Sequence, residues 1–187
     1  MLYVNVGPDE IGSKFFFRNG DFNGGVYRPI RASYAVLNGE IQVENAQVRS
    51  TANESVLLFH QANNDPKNIV MRAKNTNFIG ASGNGCMEIG AGNNVFLENC
   101  SLYASNIASA QIIKYNASNT GGGAPNVYMY NCSLELENNG LGSLTDEIAG
   151  VMQFNCVNTN SSETIDPGTA ENWGGYTRIP GFIVPKF

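Results

Sequence analysis

One phrase recurs six times along the chain: two apolar residues two apart, an asparagine, a small residue, and usually a further apolar residue. It reads Phe15, Phe17, Asn19, Gly20, Phe22; then Ile41, Val43, Asn45, Ala46, Val48; then Met71, Ala73, Asn75, Thr76, Phe78. It continues as Val95, Leu97, Asn99, Cys100, Leu102, then Val127, Met129, Asn131, Cys132, Leu134, and ends with a flaw as Val151, Gln153, Asn155, Cys156. The asparagines are separated by 26, 30, 24, 32 and 24 residues. A period in that range marks a solenoid or propeller-like array, in which each repeat leaves apolar surface that only its neighbour covers.

The content of the phrase selects among such arrays. Alternation with period two is the strand signature, whereas helical repeats need apolar residues three and four apart. An asparagine after the strand suits a sharp bend, because Asn tolerates the left-handed backbone conformation at lower cost than most residues. If repeats stack, these asparagines form a column in which each side-chain amide donates to the next. Between the phrases lie shorter apolar runs, at 35–37, 56–60, 86–89 and 112–115. They supply the remaining strands, roughly three short ones per coil.

The lines "NNVFLENCSLYA" and "PNVYMYNCSLEL" resemble the right-handed parallel β-helix of the pectate-lyase-like class, which is shared with many bacteriophage tailspikes. The likeness covers residues 15–158. It implies an all-β fold, a single-stranded right-handed parallel β-helix of about six coils, and is carried by no catalytic motif, so it implies no activity. Residues 1–14 are expected to cap the first coil, 15–160 to form the helix, and 161–187 to run on as an extended arm.

Composition narrows the function classes. The chain has 187 residues, enough for one continuous core, and only 14% of them are charged. Its net charge of −5 argues against a nucleic-acid partner, which needs clustered Lys and Arg. No apolar run reaches membrane-spanning length, and the start "MLYVNVGPDEIGSK" has neither the basic nor the apolar region of a signal peptide. The expected setting is therefore a host cytoplasm and then a virion. Cys100, Cys132 and Cys156 occupy the small position of successive repeats, where they serve as small buried hydrophobes and free thiols. No Cys-x-x-Cys or histidine pairing supplies a zinc site, and no metal or cofactor is expected.

The outward positions of the repeated strand change along the stack. Early repeats present Arg18, Gln42, Glu44, Arg72 and Lys74, as a solvated face would; later ones present Phe96 with Glu98, Tyr128 with Tyr130, and Met152 with Phe154. Such an apolar stripe marks either a subunit interface or a face over which a loop or the tail folds. In the last repeat Gln153 would point inward, so a register slip that turns Met152 and Phe154 inward is expected there. The arm holds Trp173, Tyr176, Phe182 and Phe187 among prolines and glycines. Its rings are expected to plug pockets of the last coil or of a neighbouring subunit.

Chemistry-bearing residues are sparse. Glu88 and Lys114 are outward on successive coils, with His60 on the coil before, and read as an ordinary cross-strand ion pair. Glu135 and Glu137 share a strand face without a base or metal partner. No catalytic residue is assigned. The expected role is a non-enzymatic virion structural protein, a homotrimeric phage decoration (cement) protein or short fibre or spike, binding other virion proteins such as the major capsid or a tail protein. The interface residues would be Phe96, Tyr128, Tyr130, Met152, Phe154, Trp173, Tyr176 and Phe182. The alternatives are a polysaccharide lyase or hydrolase and a module that binds a surface glycan without turnover.

Overall fold

The period-two alternation folds as strands, and the asparagines break them. The computed structural model describes residues 14–25, 28–33, 39–50, 55–60, 68–81, 86–90, 92–104, 112–116, 125–136, 150–154 and 156–158. In chain order the strands are β1 (Lys14–Arg18), β2 (Asp21–Asn23), β3 (Ile30–Ser33), β4 (Glu40–Glu44), β5 (Gln47–Arg49) and β6 (Leu57–His60). There follow β7 (Val70–Lys74), β8 (Asn77–Gly80), β9 (Met87–Gly90), β10 (Asn94–Glu98) and β11 (Ser101–Ala104). The last are β12 (Ile113–Asn116), β13 (Asn126–Tyr130), β14 (Ser133–Leu136), β15 (Gly150–Phe154) and β16 (Val157–Asn158).

The described residues are all-β, in three parallel sheets that the chain visits in rotation from β1 to β14. The first sheet has the order β1-β4-β7-β10-β13-β15, the second β16-β14-β11-β8-β5-β2, and the third β12-β9-β6-β3. Neighbours in a sheet are therefore equivalent strands of successive repeats, the arrangement a β-solenoid requires. The runs expected at 56–60, 86–89 and 112–115 are the third sheet, whereas the run at 35–37 lies outside the described residues. β3 follows Pro29 directly and lies at the edge of its sheet, where a missing ladder donor is tolerated. The expected cap at 1–14 lies outside the described residues except for Lys14, and the arm at 161–187 wholly so.

The inward residues of the phrase make one core. Ile41, Val43, Met71, Ala73, Val95, Leu97, Val127 and Met129 from the first sheet meet Val48, Phe78, Leu102 and Leu134 from the second, and Ile30, Met87, Ile89 and Ile113 from the third. Each is essentially removed from water, a gain of about 1.5–3 kcal/mol for a large side chain.

The corner between the first two sheets is built by the asparagines. Asn19, Asn45, Asn75, Asn99 and Asn131 all have φ between 49° and 54°, the left-handed conformation. Asn45 donates from Nδ2 to Asn19 Oδ1 at 3.4 Å, Asn75 to Asn45 at 3.0 Å, and Asn131 to Asn99 at 3.1 Å. The next residue turns inward, and Thr76, Cys100 and Cys132 each hydrogen-bond the carbonyl two residues back, on Lys74, Glu98 and Tyr130. A second corner, between the third and first sheets, uses Asn93. Its buried amide accepts from the Ile69 N–H and donates to the Gly90 carbonyl.

The last repeat keeps step. Val151 pairs with Val127 and Gln153 with Met129, so the expected register slip does not occur. Pairing runs unbroken from Asn126 with Gly150 to Tyr130 with Phe154, and a one-residue shift would turn every side chain of β15 to the other face.

Candidate functional site

Two regions gather side chains that could do more than fill the core. The first is the outer face of the first sheet. In-register pairing places Phe16, Gln42, Arg72, Phe96, Tyr128 and Met152 in one column. Beside it runs Arg18, Glu44, Lys74, Glu98, Tyr130 and Phe154. In-register parallel strands hold equivalent side chains about 4.8 Å apart, a spacing suited to ring stacking. The Phe96 and Tyr128 rings stack at 4.7 Å between centroids and 9° between planes. The Arg72 guanidinium lies 4.9 Å from the Phe96 centroid. Four repeats thus run Gln42, Arg72, Phe96, Tyr128 down one line.

The early part of this face is only in part the solvated surface expected: Arg18 is exposed and Glu44, Arg72 and Lys74 are half-buried, but Gln42 is 9% exposed, and in the later part Glu98 is 5% exposed. Long side chains lie along the stack and engage one another: Arg72 Nε donates to Glu40 Oε1 at 3.0 Å, Gln42 Nε2 to the same oxygen at 3.0 Å, and Lys14 reaches Glu40 Oε2 at 3.1 Å. Lys74 pairs with Glu98 at 3.0 Å and Arg18 with Glu44 at 3.2 Å. Burial alone would raise the Glu40 carboxyl; hydrogen bonds from Gln42, Lys14 and Arg72, with the Lys14 charge, outweigh it and hold the group below the usual carboxylate range. Gln42 Oε1, Arg72 Nη1 and Glu98 Oε2 are buried with no hydrogen-bond partner among the described residues.

Of the residues assigned to an interface, Phe96, Tyr128 and Tyr130 share this face. Phe96 and Tyr128 are 2% and 4% exposed in the single chain, so their part of the stripe is a covered face and no open patch. Met152 and Phe154 lie opposite Tyr128 and Tyr130 in the ladder, and their side chains are outside the described residues, as are Trp173, Tyr176 and Phe182. Phe16, at the other end, is 54% exposed and carries the Arg18 guanidinium 5.3 Å above its ring.

The second region is a shallow groove along the asparagine corner. A concavity of about 400 Å³ is lined by Asn77, Asn99, Asn131, Ser101 and Ser133 with the edges of Cys100 and Cys132. It continues into one of about 290 Å³ that adds Ile79, Tyr103 and Glu135. Ser101 Oγ donates to Asn77 Oδ1 at 2.8 Å across the groove. Amides, hydroxyls and a phenol in a row offer donors and acceptors of the kind sugar hydroxyls need.

Glu88 is not the outward surface carboxylate expected from its place in the strand. It is 4% exposed, with Arg28 Nη2 2.8 Å from its Oε1 and Ser55 Oγ donating to the same oxygen at 2.9 Å. Arg28 Nε also donates to Ser55 Oγ at 3.1 Å. One clamp thus spans three repeats. Lys114 is opposite Glu88 in the ladder, but its side chain and that of His60 are outside the described residues. Arg28 was not legible as its partner because it precedes Pro29, outside any strand, and reaches across two repeats. Glu135 is exposed on β14, and Glu137 is outside the described residues.

Among the described residues no group of three or more His, Cys, Asp or Glu is placed to hold a metal ion, and no helix is long and apolar enough to cross a membrane. Searched against protein-family models, curated proteins and solved structures, the chain matches none.

Proposed function

We propose that the chain is a right-handed parallel β-helix of about six coils and serves as a non-enzymatic structural module of a virus particle, a trimeric phage decoration protein or a short fibre or spike. The observation that carries this reading is where the charged groups are engaged. Lys14 with Glu40, Arg18 with Glu44, Arg49 with Asp21, Arg72 with Glu40, Lys74 with Glu98 and Arg28 with Glu88 each tie one repeat to another. Side chains that a catalytic face would aim at a substrate are here committed to holding the stack in register. Together with the asparagine column they make a rod cross-tied along its length, which suits a component that must hold its shape on a particle surface.

Parallel rods around a three-fold axis would bury the same face of each copy. The face proposed is the outer side of the first sheet, where Phe16 is exposed and Tyr130 half-buried. The arm rings Trp173, Tyr176 and Phe182 would seal the contact, and a major capsid or tail protein would be the partner beyond the trimer. Light scattering on the purified protein tests the assembly: three chain masses are expected, and a clean monomer would remove it. Bare capsids titrated with the protein should bind it at a saturable stoichiometry; no binding to any particle surface would remove the structural role.

A second reading, a tailspike-type module that binds or cleaves a glycan, is favoured by the Asn99, Ser101, Asn131, Ser133 and Tyr103 groove. Loss of viscosity of a capsular polysaccharide that Glu135→Ala abolishes would select it.

A further inference from the structure

The small position of the repeat is Cys100, Cys132 and Cys156 in three successive repeats, and the fold sets them in a single column. Cys100 and Cys132 each precede one member of the Ser101 and Ser133 pair, and Ser133 N–H donates to the Cys100 carbonyl at 2.9 Å. Cys132 and Cys156 precede the pair Ser133 and Val157. In-register parallel strands keep equivalent Cα atoms about 4.8 Å apart, inside the roughly 4.4–6.8 Å over which a disulfide closes. The Cys132 Sγ lies 3.4 Å from the Tyr130 carbonyl oxygen and 3.6 Å from that of Leu97, inside the corner between the first two sheets.

Access separates the three. Cys100 and Cys132 are 3% and 2% exposed, whereas Cys156 is partly open to solvent. The fourth cysteine, Cys86, is fully buried and its thiol faces the Phe78 carbonyl. Burial pushes that thiol up to about 12, which leaves it unreactive at neutral pH.

We propose that Cys132 and Cys156 form a reversible disulfide, a redox staple between the last two repeats, with Cys156 as the entry point for a small disulfide of the glutathione type. The Cys156 thiolate attacks one sulfur of the small disulfide, breaking its S–S bond and releasing one small thiol. Cys132 then gives up its proton and its sulfur bonds to Cys156 Sγ, displacing the second small thiol. The protein is oxidised by two electrons, the small disulfide is reduced to two thiols, and the two protons leave on those thiols. Contact with Cys100, followed by burial, holds the Cys132 thiol protonated well above the usual cysteine range, against a lowering contact from Cys156. The second step is accordingly the slow one, and it joins two cysteines 24 positions apart, 132 and 156, in the repeat farthest from the chain start.

The test is to incubate the intact protein with excess oxidised glutathione, trap remaining thiols with an alkylating agent, and map the peptides by mass spectrometry. One Cys132 to Cys156 linkage is expected, with Cys86 and Cys100 alkylated only after unfolding and the linkage reversed by excess reduced glutathione. Cys132→Ser should instead hold one glutathione on Cys156 as a stable mixed disulfide. Cys100→Ser and Cys86→Ser should still form the linkage, which keeps the test decisive if Cys132→Ser fails to fold. Wild type that stops at the mixed disulfide, or that links Cys100 in place of Cys156, would overturn the proposal.

Discussion

Asn99 donates from its Nδ2 to Asn75 Oδ1 across 3.2 Å, and the two backbones share a left-handed conformation at φ 52° and 49°. Two demands thus meet at one position of each of the five described asparagine corners, Asn19, Asn45, Asn75, Asn99 and Asn131. The chain must turn from the first sheet to the second, and the amide must face its equivalents above and below. Glycine meets the first demand alone, and glutamine has the amide without the short reach or the tolerance for positive φ.

That double demand predicts an order among substitutions at Asn99. Asn99→Ala keeps a Cβ in the left-handed region without the short polar side chain that makes that conformation tolerable, and deletes two amide hydrogen bonds, a loss of about 2 kcal/mol. Asn99→Gly deletes the same bonds without the backbone strain, and about 1 kcal/mol is expected. Urea unfolding of both variants reads the order directly. Equal losses would mean that the corner conformation is not what holds asparagine there.

The stacked rings predict a coupling. Arg72 and Tyr128 lie on opposite sides of Phe96, so part of its contribution depends on each neighbour. Phe96→Leu and Tyr128→Leu should each destabilise by about 1–2 kcal/mol, and the double variant by less than the sum, with about 1 kcal/mol of coupling. A coupling near zero in the cycle would reduce the stack to two rings that merely share a face.

Much of this was legible because a solenoid writes its contacts locally. The residues that line the core are those two apart before each asparagine, and Val95 and Leu97 or Val127 and Met129 needed no knowledge of any distant partner. The same logic put Phe96 beside Tyr128. It failed for side chains long enough to leave their own position. Gln42 and Arg72 have residue types that read as solvated, yet they lie along the stack, Gln42 buried there and Arg72 half-buried. Glu88 failed for the same reason, since its partner comes from a non-strand residue two repeats away. Residue type and period set which face a side chain leaves from, whereas what it then reaches depends on side-chain length and on the turns between strands.

Glu40 predicts an acid dependence. Burial opposes its ionised form, but Gln42, Lys14 and Arg72 favour it more, so its carboxyl ionises more readily folded than unfolded, where the value is near 4.5. A lowered folded value stabilises the fold above the unfolded value, and that stabilisation fades as the pH falls from there through the folded value. Urea midpoints taken between about pH 6 and about pH 3 should therefore fall more for wild type than for Glu40→Gln. Parallel curves for the two proteins would assign the acid sensitivity to other carboxylates.

The clamp of Arg28, Ser55 and Glu88 predicts an asymmetry that follows from which partner is deeper. The Glu88 side chain is 6% exposed and that of Arg28 18%. Arg28→Met leaves a carboxylate that cannot reach water, and about 3 kcal/mol is expected to be lost. Glu88→Gln leaves a guanidinium nearer the surface and keeps an oxygen that can accept from Ser55 and Arg28, so about 1–2 kcal/mol is expected. Replacing both, as Arg28→Met with Glu88→Met, removes the desolvation penalty of each charge along with their attraction, and should recover most of the Arg28→Met loss. If the double variant is instead as unstable as the two losses added, the clamp acts by packing and hydrogen bonding across the three repeats, and its charge is incidental.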